Sequence, residues 1–126
     1  MSMEKLFEQI LKESRPKLPG TRYRLGSRFS RTHDDEAWVT HLLQELSMTS
    51  REAGSSHLGE IFENIYDTVS DGGGTIRINF SIIEEIDPSM KEQILDLIGD
   101  CSRESYGTSI SGIMDDIYSY IEDSNV

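Results

Sequence analysis

The sequence predicts an α+β fold dominated by helices. Three observations carry this. Apolar residues recur at a 3–4 spacing in five separate stretches, the mark of amphipathic helices. One stretch, residues 75–83, switches to strict alternation, the mark of a half-buried strand. A weaker alternation over 21–29 supplies a second strand. The expectation is one domain over residues 1–126, with about five helices, one clear strand at 75–83 and a second at 21–29. The alternative is all-α, with Ile76–Ile83 drawn into a longer helix.

Taken in order, Met3, Leu6, Phe7, Ile10 and Leu11 share one helical face, so a helix is expected over about 3–14 and Pro16 ends it. Residues 15–33 hold Pro16, Pro19, Gly20 and Gly26 and read as a basic loop or arm. Within it Tyr23, Leu25 and Phe29 fall on one parity and Arg22, Arg24 and Arg28 on the other. Thr32 or Asp34 caps a second helix whose apolar face is Trp38, Val39, Leu42, Leu43 and Leu46. It is expected to end near Ser47, and Met48 to Ser56 reads as a loop. Leu58, Ile61, Phe62, Ile65, Tyr66 and Val69 place a third helix over 56–70, closed by Asp71-Gly72-Gly73-Gly74. In the strand, Ile76, Ile78, Phe80 and Ile82 alternate with Arg77, Asn79 and Ser81; its expected partner is the 21–29 segment, the alternative being the same strand of a second copy. Asp87-Pro88 starts a fourth helix to about 103, lined by Met90, Ile94, Leu97, Ile98 and Cys101. Ile110, Ile113, Met114, Ile117 and Ile121 place a last helix over 109–122.

Charge is the strongest compositional signal. The net charge is −11, unevenly spread. Residues 1–32 hold eight Lys/Arg against three Asp/Glu, a net +5; residues 33–126 hold four against twenty, a net −16. Two expectations follow for the basic segment. It lies on the acidic body and neutralises it in a network of ion pairs, or it serves as an arm for phosphate, RNA or an acidic protein through Arg22, Arg24, Arg28 and Arg31. A chain this acidic repels a duplex, so direct nucleic-acid binding is not expected except through 15–31. No apolar run approaches the roughly 18 residues of a membrane helix. The first residues lack a basic stretch followed by an apolar one, so a cytoplasmic location is expected. A single cysteine, Cys101, permits no internal disulfide.

No motif names a reaction. Cys101 lies on a predicted apolar helix face, where cysteine acts as a small hydrophobe. His33, His41 and His57 stand in no catalytic or zinc spacing, since His33 and His41 are eight apart rather than four. The glycine run 72–74 follows a helix and precedes a strand, the reverse of a phosphate-binding loop. No enzyme activity, cofactor or metal is expected. The remaining candidates are acids and tyrosines on helix surfaces: Glu60, Glu63, Asp67, Asp96, Asp100, Asp115, Asp116, Tyr118, Tyr120 and Glu122. Carboxylates steer a basic partner and aromatics supply buried contact. The expected function is that of a small acidic inhibitor, of the immunity-protein or anti-defence type. It would occlude a basic, nucleic-acid-binding surface of a target protein. The alternatives are a dimeric adaptor or chaperone-like module, and an RNA- or phosphate-binding protein acting through 15–31.

Overall fold

The computed structural model describes residues 20–123, and the helix expected over 3–14 lies outside the described residues. The order is β1 (Thr21–Leu25), α1 (His33–Glu52), α2 (Ser56–Ser70), β2 (Gly74–Ile78), a single 3-10 turn (Phe80–Ile82), α3 (Pro88–Glu104) and α4 (Ser109–Asp123). Helices dominate and the two strands form an antiparallel pair, so the fold is α+β.

The helix starts follow from local chemistry. Asp34, Asp35 and Glu36 sit in the first turn of α1, against its exposed N–H groups. Thr32 is the N-cap residue, but its hydroxyl donates to the Asp35 carboxylate at 2.6 Å instead of accepting from the backbone. At α3 the Asp87 side chain accepts from the Ser89 amide at 3.0 Å, and Pro88 takes the first helical position, where no N–H is needed. At α2 the acceptor comes from far along the chain: Glu84 Oε1 accepts from the Ser55 hydroxyl at 3.1 Å and from the His57 amide at 3.0 Å.

Three stretches depart from the sequence expectation. The loop expected over 48–56 is helix as far as Glu52. Thr49, Ser50 and Ser55 are buried, so their hydroxyls mark packed positions, not a solvent loop. The break comes at Gly54, whose φ of 94° is left-handed; Gly54 N–H bonds Arg51 O and Ser55 N–H bonds Ser50 O, a glycine-closed helix end. The strand expected over 75–83 ends at Ile78. The Asn79 carboxamide accepts from the Ser81 amide at 3.1 Å and the Ser81 hydroxyl at 2.6 Å, a local turn that displaces ladder pairing. The second strand likewise stops at Leu25, not 29.

The sheet register pairs Thr21 with Ile78, Arg22 with Arg77, Tyr23 with Ile76, Arg24 with Thr75 and Leu25 with Gly74. Its inner face therefore carries Tyr23, Leu25, Ile76 and Ile78, the parity read from the sequence. The central helix is α1, which packs against both α2 and α3; α4 packs on α3, and the sheet bears on α2 and reaches α4. One apolar cluster joins all of these, with Leu43, Leu46, Leu58, Phe62, Ile65, Ile94, Ile98, Ile113 and Ile117 almost without exposure. Full burial of each such side chain is worth roughly 1.5–3 kcal/mol. Among the described residues no helix is long and apolar enough to cross a membrane.

Candidate functional site

The site is built beside a close approach of α1 and α2. Gly59 permits the approach: a Cβ there would stand 2.8 Å from the Ser47 carbonyl oxygen and 2.7 Å from Arg51 Cγ. The Ser47 hydroxyl donates to Gly59 O at 3.0 Å, and Arg51 crosses over Gly59 to pair with Glu63 at 2.8 Å. One turn on, the helices part around a groove of about 350 Å³, lined by Gln44, Ser47 and Met48 of α1 and by Glu63, Tyr66 and Asp67 of α2. Tyr66 is steadied by the Phe29 ring, centroids 5.8 Å apart.

Beside this groove α1 exposes apolar surface. Met48 is 59% exposed and Trp38 49%, with the indole stacked on the His41 ring at 5.3 Å. Trp38, His41, Gln44 and Met48 follow a 3-3-4 spacing, so they share the outward side of α1 over about 15 Å. This corrects two sequence expectations: Trp38 is not in the core, and Met48 is on a helix. At 100° per residue Trp38 lies on the margin of the arc formed by Val39, Leu42, Leu43 and Leu46, and Val39 takes the buried place. Met48 and Trp38 belong to the residue types enriched in protein interfaces, and Glu63 and Asp67 share the groove with Met48.

The structure divides the ten sequence-predicted residues into two groups. Glu60, Glu63 and Asp67 lie on α2, and the last two line the groove. Glu60 stands 3.7 Å from His57 Nδ1. The other seven lie on α3 and α4, whose main neighbours are each other, α1 and β1. Most of these serve the fold. Asp100 pairs with Arg103, Asp115 accepts from the Ser102 hydroxyl at 2.7 Å, and Asp116 accepts from the Tyr23 hydroxyl at 2.8 Å. Burial, and then the Asp116 carboxylate, push the Tyr23 phenol up to about 12. Tyr120 packs on Phe80, centroids 5.2 Å apart, and Tyr118 is half-buried. Asp96 and Glu122 project outward.

From Gly20 on, the basic segment docks on the body through hydrogen bonds, and its arginines form no ion-pair network among the described residues. Tyr23 bonds Asp116, the Gly26 amide donates to the Ser109 hydroxyl at 3.2 Å, and the buried Ser30 hydroxyl donates to Glu104 O at 2.9 Å. Arg22, Arg24, Arg28 and Arg31 form no ion pair among the described residues; the arginine–carboxylate pairs there are Arg51–Glu63 and Arg103–Asp100. Arg22 and Arg24 stand on the outer face of the sheet with Arg77, which the sequence reading did not single out. Arg31 lies apart from them, its aliphatic stem across Gly107.

The remaining chemistry is sparse. Cys101 is fully buried, and burial, with Asp100 second, pushes its thiol up to about 12. Among the described residues no three His, Cys, Asp or Glu side chains gather as a metal ion would require. The acid capping α2, Glu84, is held below the ordinary carboxylate range by hydrogen bonds from its own amide and from that of His57. Compared with protein-family models, curated proteins and solved structures, the chain matches none of them.

Proposed function

We propose that this chain is a non-catalytic protein-binding module that seats a basic partner on the α1–α2 face and thereby covers the partner's cationic surface, as an inhibitor of the immunity-protein or anti-defence type does. The observation that carries the reading is the exposed Trp38–His41–Met48 side of α1 beside a groove edged by Glu63 and Asp67. Aromatic and methionine side chains provide the desolvated anchor, and the surrounding carboxylates provide steering and exclude acidic competitors. The net charge of −16 over residues 33–126 extends that steering well beyond the groove.

The test is capture of a partner on immobilised protein over a range of salt, with nuclease present throughout. The reading expects one basic protein whose association slows as salt rises, while an apolar contact keeps a residual affinity. A partner whose binding is indifferent to salt argues for the adaptor alternative, in which Trp38 and Met48 act without the carboxylates.

A further inference from the structure

We propose that the outer face of the two-stranded sheet is a binding site for a compact polyphosphate, a small molecule carrying two or more adjacent phosphate groups. Antiparallel pairing sets Arg22 directly opposite Arg77 and Arg24 directly opposite Thr75. The outward block is thus three guanidinium groups and one hydroxyl, all on exposed residues, and the strands put no carboxylate on that face among the described residues. Like charges directly opposite one another oppose strand pairing, and no ion pair among the described residues relieves these. An anion between them would turn the repulsion into a bridge.

The geometry suits phosphate. Cβ atoms of a directly opposed pair lie about 4.5–5.5 Å apart, and side chains two apart on one strand about 6.6 Å. Three planar guanidinium forks are therefore rooted close enough for all to reach a ligand one or two phosphates wide, each able to bond two oxygens. At the Arg24–Thr75 end the face opens into a cavity of about 530 Å³, lined by Arg24, Ser27, Thr75 and the Gly72–Gly74 backbone. That cavity gives the rest of the ligand somewhere to lie.

Charge range selects a small ligand over a nucleic-acid strand. At physiological salt a charge is felt over about 8 Å. A compact polyphosphate meets only the arginine block. An extended polyanion runs past it onto a chain whose residues 33–126 carry −16.

The experiment is calorimetric titration of the full chain, at roughly 50 mM salt, with inorganic tripolyphosphate and with ATP, each without divalent metal. Saturable binding that drops by about tenfold or more in the Arg22→Gln/Arg77→Gln double variant is expected, with no fall in Tm for that variant. Arg77→Lys, which keeps the charge but loses the fork, is expected to lie between the two. Equal affinity for the two probes assigns the site to the phosphate chain alone, and tighter ATP binding adds a nucleoside contact in the cavity. Failure of both probes to bind, or binding unchanged in the double variant, overturns the proposal. So does an arginine-dependent single-stranded oligonucleotide that binds more tightly than tripolyphosphate.

Discussion

Replacing Gly59 by alanine should destabilise the protein, against the ordinary effect of that change in a helix. In an open helix interior, Gly→Ala gains roughly 0.8–1 kcal/mol, because alanine loses less backbone freedom on folding. At Gly59 the added methyl would meet the Ser47 carbonyl oxygen at 2.8 Å and Arg51 Cγ at 2.7 Å. Arg51 can swing aside at the cost of its pairing with Glu63, but the Ser47 oxygen is α1 backbone and moves only with the helix. Overpacking of this kind costs about 1–3 kcal/mol. The clash therefore exceeds the propensity gain, leaving a net loss of up to about 2 kcal/mol, or a fall of several degrees in Tm for a domain of this size. Gly99 is the internal reference: it lies mid-helix in α3, and its Cβ would meet nothing nearer than Arg103 Nη1 at 4.0 Å. Urea denaturation of both variants, read by midpoint and slope, is the assay. Gly99→Ala should move the midpoint up and Gly59→Ala down with the slope unchanged. A Gly59→Ala protein as stable as Gly99→Ala would show that α1 and α2 are not in the described contact, and the groove would lose its basis.

Arg77→Gln should raise stability by a few tenths to about 1 kcal/mol at low salt, because it removes a like charge directly opposite Arg22; the gain should shrink as salt rises, in a melting series. Cys101 should resist a thiol reagent until the protein unfolds. Its folded pKa is raised, so its share of stability is whole below pH 9 and is lost as the pH climbs towards 12. Glu84→Ala should loosen the start of α2, seen as faster amide exchange at His57. Because the Glu84 pKa is lowered in the fold, the difference from the parent protein should be full above the ordinary carboxylate value and fade as the pH falls below it.

Much of this fold was legible before the structure. The helices over 56–70, 88–104 and 109–123 follow their apolar stripes, the 88–104 helix starts on the Asp87 cap with Pro88, and the segment expected to pair with the clear strand does so, Thr21–Leu25 against Gly74–Ile78. The errors have local physical causes. Serines and threonines after Ser47 resemble a loop, yet Thr49 and Ser50 are buried and only Gly54 supplies the left-handed turn that ends α1. Alternation continues to Ile82, but the Asn79 side chain bends the chain after Ile78. The site was less legible than the fold. Counting acids identified Glu63 and Asp67 on the groove, but it could not tell Asp67, which forms no ion pair among the described residues, from Glu63, Asp100, Asp115 and Asp116, whose carboxylates are engaged within the chain. Trp38 counted as apolar was assigned to the core, and only packing shows Val39 taking that place. The Arg22–Arg77 pair depends on register between strands about fifty residues apart, which no tight turn sets.

Photo-crosslinking of the partner from chosen positions tests the central claim most directly. A photoreactive residue in place of Met48, on the proposed face, is compared with one in place of Asp96 on α3, both exposed. The account predicts a crosslink to a basic protein from position 48, none from position 96, and loss of the crosslink in Trp38→Ala without a change in Tm. A partner captured from position 96 and not from 48, or a crosslink indifferent to Trp38, would place the interface elsewhere and contradict the account.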